Sequence, residues 1–100
     1  MEKLIKRSYK ALQKRGCITN KTTIDEFLEK ITEEFDEAYT ANEHINHDLY
    51  KYQMKYFKLY IEEMVDLATV CIMSIHHLGY DFIEEFEKCV IKNEKRAKNS

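Results

Sequence analysis

The chain contains no proline and no tryptophan, and only two of its 100 residues are glycine, Gly16 and Gly79. A β-sandwich or barrel of this length needs many tight turns, and Gly and Pro are their usual residues. The chain instead has abundant helix formers: Lys, Glu, Leu, Ala and Met. Cysteine is scarce and odd in number, at Cys17, Cys71 and Cys89, with no Cys-x-x-Cys pair. That argues against a disulfide scaffold or zinc finger and for a reducing, cytoplasmic setting. The opening MEKLIKRSYK carries no apolar core, so it does not read as a signal peptide. The longest apolar run, Leu67–Ile75, is interrupted by Thr69 and Ser74. It is far shorter than the ~20 residues that span a bilayer, so no membrane partner is expected.

Charge is nearly balanced, with 16 basic and 18 acidic residues, but it is segregated. Residues 1–21 carry +6, residues 22–49 carry −8, residues 50–87 carry −4 and residues 88–100 carry +4. The basic first segment has a small, aromatic-poor apolar face. It reads as a bundle helix with a solvated basic side that offsets the acidic second segment, not as a nucleic-acid or membrane binder.

Caps and spacing predict four helices in one domain covering residues 1–100. The first runs from about Glu2 to Arg15 and stops at Gly16. Thr23-x-x-Glu26 is a capping box for the second, which fades near His44–Asp48. Its apolar positions are Ile24, Phe27, Leu28, Ile31, Phe35, Ala38, Asn42 and Ile45. The third runs from about Leu49 to Leu78, opening with the aromatic-basic stretch Tyr50–Tyr60 and ending at Gly79. Asp81-x-x-Glu84 caps the fourth, which continues to about Lys98. Short connections make neighbouring helices antiparallel. The expected architecture is an all-α, four-helix bundle-type domain that assembles into a dimer or tetramer, since 100 residues cannot easily cover both an apolar third helix and a ligand site.

Two pairs of acids interrupt the apolar pattern. Glu34 falls on the shoulder of the second helix's stripe, and Glu37 continues that edge three residues on. In the third helix, Met64–Ile75 reads MVDLATVCIMSI, with Asp66 its only charge. A helix apolar on nearly every side is expected to be buried. A buried carboxylate is costly unless it is paired or binds a metal. Glu63 shares an edge with Asp66, and no Lys or Arg lies within one turn of Asp66. Antiparallel packing would gather Glu34, Glu37, Glu63 and Asp66, and a hard divalent cation would relieve their repulsion. All-oxygen ligation points to Mg²⁺, with Mn²⁺ as a substitute.

These residues match a family pattern. Glu33-Glu34-Phe35-Asp36-Glu37 fits Glu-Glu-x-x-Glu, and Glu62-Glu63-Met64-Val65-Asp66 fits Glu-Glu-x-x-Asp, with 25 residues between Glu37 and Glu63. The sequence resembles the MazG-like all-α nucleoside triphosphate pyrophosphohydrolases over about residues 23–96. The resemblance implies a Mg²⁺-dependent enzyme of pool control or housecleaning, commonly dimeric or tetrameric. It implies cleavage of a (d)NTP between the α and β phosphorus to the monophosphate and pyrophosphate. It implies Glu34, Glu37, Glu63 and Asp66 as metal ligands, with Glu33 and Glu62 beside them as outer or catalytic groups. Lys92, Asn93 and Arg96 resemble a late Lys-Asn-x-x-Arg that contacts phosphate and sugar in relatives. The chain departs from the pattern at Val70, where many relatives carry an aromatic, and in having no Trp to stack a base. Tyr52, Tyr56 or Tyr60 would have to serve instead. The alternative is a non-catalytic helical interaction module, or a nucleotide sensor, of the same fold.

The four histidines lack the Glu-x-x-His spacing of a di-iron bundle and are expected to be solvated or helix-capping. Cys71 and Cys89 are expected in the core.

Overall fold

The computed structural model describes residues 1–47 and 53–99. Four helices occur there, α1 (Glu2–Lys14), α2 (Ile24–His47), α3 (Gln53–His77) and α4 (Phe82–Lys98), with no strand among the described residues. The expected start of the third helix at Leu49, and Tyr52, lie outside the described residues. No helix among them is long and apolar enough to cross a membrane.

The helix ends follow the local chemistry. Thr23 Oγ1 accepts from the Glu26 amide at 3.2 Å, and Asp81 Oδ1 accepts from the Ile83 amide at 2.9 Å and from the Glu84 amide at 3.4 Å. Both glycines close helices in the left-handed region, with φ of 75° at Gly16 and 88° at Gly79. After each, paired backbone bonds complete a Schellman motif. Gly16 N–H reaches Gln13 O and Cys17 N–H reaches Leu12 O; Gly79 N–H reaches His76 O and Tyr80 N–H reaches Ile75 O.

The chain divides into two units, one of residues 1–18 and 72–100 and one of residues 19–71. The first unit holds 11 basic and 6 acidic residues, the second 5 basic and 12 acidic. In the first unit Ile5, Ile18 and Met73 are buried. Tyr9 ties α1 to the end of α3. Its hydroxyl shares a 2.7 Å hydrogen bond with His77 Nδ1, and its ring stands edge-on to His76 at 4.7 Å. These two histidines, in the last turn of α3, are half-buried and engaged with Tyr9. Phe82 and Phe86 pack ring to ring at 5.6 Å on α4.

In the second unit the inward positions of α2 are Phe27, Ile31, Glu34, Ala38, Ala41 and Ile45, and those of α3 are Tyr56, Tyr60, Glu63, Leu67 and Val70. Both sets alternate by four and three residues, the spacing of a coiled-coil seam. His44 stacks on Tyr56, with ring centroids 5.2 Å apart and planes 15° from parallel. It is likewise not a free surface histidine.

Three expectations are corrected. The stretch 64–75 of α3 is buried only in part: Val65 is 58% exposed, whereas residues 69–75 are half-buried, with Met73 fully buried. Asp66 is exposed rather than buried. Cys71 is only half-buried and Cys89 is exposed. On α3 the cause is that the helix carries apolar residues on two faces, and among the described residues the face of Ile61 and Val65 stays exposed.

Candidate functional site: an acidic cluster on the α2–α3 seam

Glu34 occupies a seam position between Phe27 and Ala38, both buried, and is itself 8% exposed. The sequence stripe placed it on the shoulder. The difference arises because Ile24, Leu28 and Phe35, which pulled the predicted stripe towards themselves, are more than half exposed. Glu63 occupies a half-buried seam position on α3, and Glu37 lies one turn after Glu34 at the exposed edge.

Carboxylate oxygens of Glu34, Glu37 and Glu63 all lie within 4.8 Å of one another. Glu34 Oε2 and Glu63 Oε2 are shielded from solvent and have no hydrogen-bond partner. A buried unpartnered carboxylate oxygen is costly, and two of the three clustered side chains carry one. The carboxyl of Glu63 is pushed above its ordinary range. A hydrogen bond with the Glu37 carboxyl is the main cause, followed by lost hydration and by the charges of Glu37, Asp66 and Glu34.

One cation reaches this cluster directly among the described residues. Lys30 Nζ lies 3.3 Å from Glu34 Oε1 and 3.3 Å from Glu33 Oε2. Its ammonium is held above its usual pKa, first by the Glu33 hydrogen bond and then by that of Glu34. The sequence reading missed Lys30, although its spacing of three and four residues before two acids on one helix was a visible signal.

The other predicted residues are placed as follows. Asp66 lies close enough for its charge to act on Glu63 but is not one of the three whose oxygens converge. Glu33 is exposed and paired with Lys30. Glu62 is exposed and borders a shallow apolar surface with Met54 and Leu59. Tyr56 and Tyr60 are half-buried on the seam. Lys92, Asn93 and Arg96 are exposed on α4, in the other unit, where Asn93 Nδ2 approaches Cys89 Sγ at 3.8 Å.

The donor set suits a hard cation. Three carboxylates from two helices can hold Mg²⁺ or Mn²⁺ while leaving positions for water and phosphate oxygen. There is no imidazole or thiolate among the three, as zinc would favour. Compared with family models, with curated proteins and with solved structures, the chain matches none.

Proposed function

We propose that the chain is a MazG-like nucleotide pyrophosphohydrolase that uses Mg²⁺, held by Glu34, Glu37 and Glu63, to cleave a (d)NTP to its monophosphate and pyrophosphate. One observation carries the reading. Three carboxylates from the two signature helices converge, and two of their oxygens are buried without a partner. A divalent ion held by Glu34, Glu37 and Glu63 would supply charge neutralisation for the phosphates and a more acidic water. This chain's own contribution is positional. The seam fixes Glu34 and Glu63, Glu37 completes the set of three, and Glu33 and Glu62 are the neighbouring carboxylates that would act as outer groups. In-line displacement depends on such positioning more than on covalent chemistry. Asp66 belongs to the outer edge of this set rather than its centre.

Two finer architectural features belong to the same proposal. α2 and α3 run antiparallel in their unit. Advancing seven residues on α2, from Glu37 to His44, corresponds to retreating seven on α3, from Glu63 to Tyr56, and both pairs are in contact. The protein also pairs with a second copy. Each of these helices carries a second apolar row at seam-like spacing. One row is Ile24, Leu28, Phe35 and Tyr39, each 53–56% exposed; on α3, Met54, Phe57, Ile61 and Met64 form the other, at 39–76% exposed. A two-helix unit with two open apolar rows is completed by an identical unit, giving a four-helix seam.

The competing reading, a binding module without turnover, draws on the exposed position of Asp66. A panel of the eight common NTPs and dNTPs with Mg²⁺ or Mn²⁺, analysed for product identity beside Glu34→Gln, separates the two. Monophosphate plus pyrophosphate, lost in the variant, supports the enzyme. Nucleotide binding with no product under either metal overturns it.

A further inference from the structure

We infer that Lys30 is the built-in counter-cation of the acidic cluster, holding Glu34 while the site is empty and exchanging for the divalent ion when it loads. The inference rests on the metal reading of Glu34, Glu37 and Glu63 and adds a control on how tightly that site binds.

Glu34 is the most buried of the three carboxylates, with a side chain only 10% exposed. Its two oxygens differ. Oε1 faces Lys30 Nζ at 3.3 Å, while Oε2 is buried with no partner. The ammonium therefore satisfies one oxygen of the carboxylate and leaves the other buried without a partner. A single positive charge cannot balance three carboxylates within 4.8 Å, so the arrangement holds together without being neutral.

Lys30 is also suited to leave. It is a compact charge on a flexible stem, and its side chain is 54% exposed. It already sits 3.3 Å from Glu33 Oε2, so losing Glu34 does not leave it unpaired. A divalent ion offers Glu34 twice the charge, and it can reach Oε2, which Lys30 does not satisfy. Exchange thus moves the ammonium from a shared position to Glu33 alone, at the rim of the site. An exposed ion pair such as Lys30–Glu33 contributes little, whereas the effect of Lys30 on the buried Glu34 carboxylate is larger. Lys30 accordingly lowers the apparent metal affinity and keeps the unloaded seam from carrying a bare Glu34 charge.

The test is a Mn²⁺ titration followed by electron paramagnetic resonance, with thermal melts of the same samples. It uses the full chain, Lys30→Met, and Lys21→Met as a control that removes a charge outside the cluster. Lys30→Met is expected to bind Mn²⁺ about two- to tenfold more tightly. It should melt lower than the parent without metal and show a larger Mn²⁺-induced rise in Tm. Lys21→Met should bind as the parent does. Unchanged or weaker binding by Lys30→Met overturns the inference and leaves the metal reading standing, as does an equal tightening in Lys21→Met. Absence of Mn²⁺ binding by every variant overturns both.

Discussion

Replacing Glu63 by Gln should stabilise the metal-free protein at neutral pH and abolish its response to divalent ions. At 4.8 Å, the outer limit within the cluster, two carboxylates repel by about 0.9 kcal/mol in water and about 3.5 kcal/mol at an effective dielectric of 20. Glu37 is exposed and Lys30 offsets part of the Glu34 charge, so the lower value applies. A gain of about 1 kcal/mol raises Tm by about 5 °C in a domain of this size. The pH dependence gives the sign. The Glu63 carboxyl is raised above its ordinary 4.5 in the folded chain, so its protonated form stabilises the fold. That contribution is fully present below the unfolded value and lost as pH rises through the folded one. Gln resembles the protonated form, so the benefit appears only above that window. Calorimetric melts in chelator at pH 4 and pH 7.5 should show the two chains alike at the lower pH and the variant higher at the upper. A variant less stable than the parent at pH 7.5, or equally stabilised at both, would refute the repulsion argument.

Glu34→Gln should weaken Mn²⁺ binding by at least about tenfold, because it strikes the buried ligand, whereas Asp66→Asn at the exposed edge should cost only a few-fold; isothermal titration ranks them. Phe35→Asp, placing a charge in the open apolar row of α2, should shift the protein from about 24 kDa to the 12.1 kDa chain mass in light scattering, with helicity retained. Tyr9→Phe keeps the ring against His76 but removes the 2.7 Å bond to His77, and should lower stability by about 1 kcal/mol in denaturant titration. Asp81→Ala, which removes the acceptor for two amides at the start of α4, should cost about 1 kcal/mol in the same assay.

The helices were largely legible because their ends are written locally. Thr23, Asp81, Gly16 and Gly79 each act within a few residues of themselves, and the structure uses all four as the sequence suggests. The grouping of Glu34, Glu37 and Glu63 was also legible, since spacings of three along two helices put the acids at facing edges. Burial was not. Periodicity sums all apolar residues on a helix, so α3 with two apolar rows read as one buried helix, and Asp66 was drawn into a core it does not occupy. The same summing shifted the α2 stripe towards Phe35 and left Glu34 on its shoulder. Which of two apolar rows is covered within one chain depends on the partner each row meets, and that is tertiary information. The engagement of Tyr9 with His76 and His77, 67 and 68 residues away in sequence, lay beyond local reading for the same reason.

The most direct measurement is an anomalous difference map from crystals grown with Mn²⁺. The account predicts a peak about 2.1 Å from oxygens of Glu34, Glu37 and Glu63, with Lys30 displaced from Glu34 onto Glu33. A map with no peak between these three carboxylates, or with Mn²⁺ bound only elsewhere on the chain, would contradict it.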